Sequence, residues 1–93
     1  MEGFIYLIQS IKSTKQYLGS TNNPNKRIIE HNNKECESTR NYAPWKYIAI
    51  IKVGDLTKAR KIEYYIKRQK EKLTVKNVIK SLNKYFEMYN TDG

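Results

Sequence analysis

Apolar residues along the chain fall into blocks with two different periods. Gly3-Phe4-Ile5-Tyr6-Leu7-Ile8-Gln9 is dense in β-branched and aromatic residues and reads as a buried strand. After the polar, turn-like stretch Ser10 to Lys15, Gln16 to Thr21 reads as a second strand, close enough to pair with the first as a hairpin. Gly19 interrupts that strand, and a glycine in such a place often marks a group that approaches the backbone. Asn22-Asn23-Pro24 predicts a helix start, because Asn23 caps free amides and Pro24 has no N–H to satisfy in the first turn. This helix is expected to run to about Asn33. Lys34 to Pro44 has no period and reads as a loop. Trp45 to Val53 reads as a third strand, whose run Tyr47 to Ile51 predicts burial on both faces, and Gly54-Asp55 as a turn. Leu56, Ala59, Ile62 and Ile66 recur at three- and four-residue spacing and predict a helix from Leu56 to about Lys72. A last helix is expected from Thr74 to Tyr89, with Val75, Val78, Ile79, Leu82 and Phe86 on one face, followed by a frayed end from Asn90 to Gly93. The order β-β-α-β-α-α implies an α/β (α+β) fold, a small three-stranded mixed or antiparallel sheet flanked by helices.

With 93 residues the chain supports one core and one domain. Its 39% hydrophobic and 29% charged residues exclude a disordered or fibrous class. Charge changes the picture most: 18 Lys plus Arg against 9 Asp plus Glu leave a net +9. The excess is shared between both halves, so it belongs to the folded surface and implies an anionic partner, of which nucleic acid is the commonest. The longest apolar runs, Phe4 to Ile8 and Tyr47 to Ile51, fall far short of the about 20 residues of a membrane span. Met1-Glu2-Gly3 lacks the basic flank of a secretory signal. No membrane association is expected, and the location expected is intracellular, in the cytoplasm or the nucleus or nucleoid. The single cysteine, Cys36, excludes an internal disulfide or a Cys-built zinc site and reads as an unpaired loop thiol.

Three sets of residues bear candidate chemistry. Glu63 falls inside the apolar sector of its helix, where a carboxylate is costly unless a cation or hydrogen bonds meet it. It is either an edge position paired with a lysine or a metal ligand that shares its ion with water and phosphate oxygens, the habit of Mg²⁺. Arg27 and His31, four residues apart, project from one helix face. An arginine clamps phosphate oxygens and a histidine moves protons near neutral pH, but Ile28 and Ile29 lie roughly across the helix, which is equally consistent with plain exposure. Tyr6 and Tyr17 on the hairpin are core aromatics or proton acceptors, and an unperturbed phenol pKa of about 10 demands help for the second role. The densest basic stretch runs from Lys58, Arg60 and Lys61 through Lys67 and Arg68 to Lys72, and reads as a solvated face or a phosphate grip. Tyr64 or Tyr65 could stack on unpaired bases, whereas Trp45 reads as core.

Phe4-Ile5-Tyr6, then Tyr17-Leu18-Gly19, Arg27-x-x-x-His31 and Glu63 in a later helix together resemble the GIY-YIG nuclease family. Thr39-Arg40 with Pro44-Trp45-Lys46 resembles its short, single-domain branch, and the resemblance extends over about residues 3 to 72, leaving the helix from 74 to 89 as an extension. The sequence departs from the pattern at Phe4, where the family has glycine, and at Leu18, where it has isoleucine; neither removes a reactive group. The resemblance implies hydrolysis of a phosphodiester bond with one divalent ion, Mg²⁺ or Mn²⁺. On that reading Tyr6 is the general base and Tyr17 positions water or phosphate. His31 supports the proton path, Arg27 stabilises charge on phosphorus, and Glu63 holds the metal. The substrate expected is DNA, branched or damaged rather than of defined sequence, as in repair or recombination, with Arg40, Lys58, Arg60, Lys61, Lys67 and Arg68 as candidate phosphate contacts. The rival reading is a non-catalytic nucleic-acid-binding module that needs a partner protein. A third is an interaction subunit, with a protein partner or a homodimer formed through the helix after Thr74.

Overall fold

Side-chain alternation along one central strand decides the architecture. In the computed structural model, which describes residues 1–89, β1 (Glu2–Ser10) lies between β2 (Gln16–Thr21) and β3 (Trp45–Asp55), and both pairings are antiparallel. The end at Asn90 to Gly93 lies outside the described residues. Because successive side chains in a strand point to opposite faces, Ile5 and Leu7 face one way with Leu18 and Val53, while Tyr6 and Ile8 face the other. Helices α2 (Leu56–Arg68) and α3 (Val75–Tyr89) cover the first face, where Ala59, Ile62, Ile66, Val78 and Leu82 complete a core. Helix α1 (Pro24–Asn32) and the segment leading to Trp45 cover the second, with Ile28, Ala43, Trp45 and Tyr47 against Tyr6 and Ile8. The expected class and element order are observed.

The helix starts follow from local chemistry. Asn23 Oδ1 accepts from the Lys26 amide at 3.1 Å with Pro24 at the first turn, and Asp55 Oδ1 accepts from the Lys58 amide at 2.8 Å. Three expectations are corrected. β3 is an edge strand, so its middle is half-buried and Ile50 is exposed; burial on both faces belongs to β1. Gly54-Asp55 is not a turn between elements but the end of β3, where Gly54 at φ +110° pairs with Gly3 beside a register shift. α2 ends at Arg68 rather than Lys72, and Lys70, at φ +56°, takes the chain out of the helix. Within the expected loop, Arg40–Tyr42 forms a single 3₁₀ turn.

Candidate active site

Tyr6 sits on β1 opposite Gly19 of β2, and its ring lies directly over that glycine. A Cβ on Gly19 would stand 2.9 Å from Tyr6 Cε2 and closer still to Cζ and Oη, so the absent side chain is the space the phenol occupies. The phenol oxygen meets His31 Nε2 at 2.8 Å and accepts from Arg27 Nε at 3.2 Å. His31 Nδ1 lies 2.7 Å from Thr39 Oγ1, whose hydroxyl is in turn 3.4 Å from the Cys36 carbonyl oxygen, an acceptor. One assignment of hydrogens satisfies the whole chain. Arg27 Nε–H donates to Tyr6, the Tyr6 hydroxyl to His31 Nε2, His31 Nδ1–H to Thr39, and the Thr39 hydroxyl to the Cys36 carbonyl. Among the described residues no buried side-chain nitrogen or oxygen lacks a partner.

Plain exposure of the Arg27–His31 face is overturned. His31 is completely buried, edge-on to the rings of Tyr6 and Tyr17, while Ile29 is 57% exposed. The reason is that polar groups which satisfy one another can be buried at little cost, and the Tyr6 hydroxyl and Thr39 supply both partners of the imidazole. Trp45 is core, as expected, and its indole N–H donates to the Thr39 carbonyl at 2.9 Å, fixing the residue that fixes His31.

Burial sets the electrostatics. It pushes the Tyr6 hydroxyl well above the ordinary phenol range against the pull of Arg27, and raises Tyr47, whose hydroxyl donates to the Pro24 carbonyl, to about 12. Burial also opposes the charge on Arg27, but its bonds to Tyr6 and Glu30 outweigh that and hold the guanidinium protonated. Burial and then the Arg27 charge lower His31 from 6.5 to about 4, with Glu30 opposing. The folded value lies below the unfolded one, so on acidification the unfolded chain takes up the proton first. Stability from the neutral imidazole is intact above about pH 6.5 and is lost as pH falls toward 4. Between pH 7 and pH 5 the loss is expected to be about 2 kcal/mol, read as a falling urea midpoint. His31→Gln is expected to flatten that dependence, and a parental midpoint constant over the window would contradict it.

Glu63 lies on α2, across the sheet from Tyr6. Its Oε1 accepts from Ser20 Oγ at 2.6 Å and its Oε2 pairs with Lys67 Nζ at 2.6 Å. The lysine pairing weighed for this carboxylate is therefore present. Its energy is small: an i,i+4 pair with a 42% exposed lysine is worth about 0.3–0.5 kcal/mol. Lys67 also lies over the ring of Tyr17 at 5.0 Å, so Tyr17, on the edge strand, touches His31 on one side and Lys67 on the other. Together these contacts connect the two faces around the edge at β2.

Beside this edge opens a cavity of about 440 Å³ lined by Ser20, Lys26, Arg27, Glu30, Leu56 and Arg60, with Thr21, Asn22 and Asn23. Arg27, Lys26 and Arg60 make its lining positive, with Glu30 bonded to Arg27 at 3.0 Å. Glu63 borders it through Ser20. Of the expected phosphate contacts, Arg60 lines this cavity and Lys67 sits on Glu63; Lys61 and Arg68 line a separate groove, Lys58 stacks on Phe86, and Arg40 is exposed on the 3₁₀ turn. Sequence reasoning missed Ser20, Glu30 and the role of Thr39 toward His31. Glu30 had a signal, three residues after Arg27, but Ser20 and Thr39 act across the chain.

Among the described residues no cluster of three or more His, Cys, Asp and Glu side chains is present, and no helix is long and apolar enough to cross a membrane. The Glu63 carboxylate is only 20% exposed and both its oxygens are occupied, by Ser20 and Lys67. It fits an ion that keeps water and substrate oxygens as its other ligands only where that ion takes the place of the lysine ammonium. Arg27 lines the basic cavity and bonds behind it to Tyr6, which with His31 is buried and does not line the cavity. Residues 2–88 match the model of the GIY-YIG catalytic domain, and the chain belongs to the GIY-YIG family, a nuclease family whose members generally use a divalent metal. The match runs past Lys72, where the sequence resemblance stops, and takes in α3 up to Met88. No curated protein sequence matches the chain.

Proposed function

We propose that the chain is a divalent-metal-dependent endonuclease that hydrolyses phosphodiester bonds in DNA, selecting branched or damaged structure rather than a defined sequence. The observation that carries this reading is the Tyr6 hydroxyl held at 2.8 Å from His31 Nε2 and at 3.2 Å from Arg27 Nε, with that arginine lining a positive cavity. A phenol whose ionisation is opposed by burial does not wait as phenolate. The proton of the attacking water therefore passes to Tyr6 Oη as the phenol's own proton moves to His31 Nε2. The water oxygen bonds to phosphorus, and the bond to the leaving oxygen breaks, its electron pair departing with that oxygen, which takes a proton from solvent. Thr39, accepting from Nδ1, keeps the imidazole in the tautomer that receives this proton.

Arg27 is already fixed through Nε and Nη1, so Nη2 is the donor it can offer to phosphate oxygens with little further loss of freedom. An anion bound there also offsets the positive charge that holds His31 down, so substrate raises the basicity of the proton's destination. Tyr17, packed between His31 and Lys67, positions the water or the phosphate. Glu63 would hold Mg²⁺ or Mn²⁺ once Lys67 gives way, and the bound ion supplies charge to the leaving oxygen.

Supercoiled plasmid and branched oligonucleotides with Mg²⁺ or Mn²⁺ test the reading. The parent is expected to nick, and Arg27→Ala to lose about 10²–10³-fold, as removal of one transition-state donor does, with Glu63→Ala losing its response to metal. Variants that nick like the parent would overturn it. The Glu63–Lys67 pair favours a second reading, a binding module whose carboxylate is already neutralised. Binding without cleavage with either metal on every substrate would select it.

A further inference from the structure

On the far flank of α2 from the catalytic cavity lies a second groove, of about 600 Å³, formed with α3. Lys61, Tyr64, Tyr65, Arg68, Tyr85 and Tyr89 line it together with Gln69, and among the described residues no carboxylate does. Tyr65 and Tyr85 meet edge to face at 5.4 Å, and Tyr85 and Tyr89 are tilted at 4.7 Å, so the floor is an aromatic ladder. Packing accounts for Tyr65 and Tyr85. It does not account for Tyr64 and Tyr89, which are 65% and 63% exposed at the same groove, nor for the Arg68 guanidinium resting 5.5 Å from the centre of the Tyr64 ring.

Flat apolar faces bordered by cations suit a polyanion with flat faces. Duplex DNA offers its phosphates but keeps its bases stacked; an unpaired strand offers both. An apolar peptide would meet phenol hydroxyls and two positive charges in place of an aliphatic floor. Arg60 lines the catalytic cavity and Tyr64, one turn on, lines the groove. Only the width of one helix, about 10–12 Å, separates them.

We propose that the groove between α2 and α3 binds an unpaired polynucleotide strand, stacking its bases on Tyr64 and Tyr89 while Lys61 and Arg68 take its phosphates. The inference rests on the nuclease reading for its ligand class and deepens it. A strand that leaves the cavity crosses Arg60 and enters the groove, so the preferred substrates carry a single-stranded arm beside the cleaved bond.

The test is fluorescence anisotropy of the full chain in EDTA, without divalent ion, with labelled oligothymidylate, oligouridylate and a duplex of equal length. Tyr64→Ala and Tyr89→Ala are each expected to weaken oligothymidylate binding about ten-fold, as loss of one stacking platform does. Tyr64→Phe is expected to keep it, and Arg68→Gln to weaken it with a shallower salt dependence. Duplex affinity and the melting temperatures are expected to stay at parental values, since the removed rings are exposed. Weakening with oligouridylate as well assigns the groove to unpaired strands of either sugar; weakening confined to oligothymidylate assigns it to DNA. Parental affinity in both alanine variants, or equal loss on duplex, overturns the proposal. So does a dimer in sedimentation that Tyr64→Ala disperses, which would give the groove to a second copy. Failure of plasmid cleavage leaves this binding result standing, so the two readings fail separately.

Discussion

Tyr6→Phe is expected to lower phosphodiester cleavage by about 10²–10⁴-fold, the range that a positioned acid or base supplies, with KM little changed and the loss in kcat. The ring still fills the space above Gly19, and Arg27 still faces the cavity. What disappears is the oxygen that meets His31 Nε2 and, on the proposed mechanism, receives the proton of the attacking water. The same change leaves His31 Nε2 and Arg27 Nε without their shared partner, at about 1–3 kcal/mol for a buried group. Rates are therefore compared at a temperature where circular dichroism shows both proteins folded. Parental kcat in the folded variant would remove the phenol from the proton path.

Gly19→Ala is expected to damage stability and turnover together. The added methyl would overlap the end of the Tyr6 ring, which is buried, so the ring must shift against its packed neighbours. Overpacking of this kind costs about 1–3 kcal/mol, read as a lower melting temperature. The ring can relieve the overlap only by tilting its hydroxyl away from His31 and Arg27, so the residual protein is expected to cleave as poorly as Tyr6→Phe. An unchanged melting temperature would mean that the ring does not lie where the contact requires. Leu18 next to it, where the family has isoleucine, points to the other face, into the core under α2 and α3, away from Tyr6.

The strands were legible where β-branched and aromatic residues run together, and α1 where Asn23 and Pro24 supply a start signal with a physical cause. Gly19 was legible as a point of close approach, though not what approaches. Local periodicity failed at positions decided by distant partners. His31 is buried because Tyr6 and Thr39 satisfy it, and neither is its neighbour in sequence. The end of α2 was overrun because Gln69 and Lys70 continue its polar composition, while the left-handed backbone at Lys70 stops it. Which strand is central depends on pairing order: Tyr47 to Ile51 is as apolar as the β1 run yet borders solvent. Glu63 was read correctly as a carboxylate needing a partner; that Ser20 would be one of two depends on the hairpin placing β2 against α2.

Tyr6 packs in one hydrophobic cluster and the inner faces of α2 and α3 in the other, with the sheet as a bulkhead between them, and the groove between α2 and α3 lies wholly on the second side. The two compartments meet at the β2 edge, through Tyr17 and Ser20 and through the cavity that Arg27 lines from α1 and Arg60 from α2. Substitutions in the groove between α2 and α3 can accumulate without disturbing the hydrogen bonds of Tyr6, His31 and Arg27 on the other side of β1. On the proposed function, what is cut can then change while how it is cut stays fixed, a freedom such a partition grants to a domain this small.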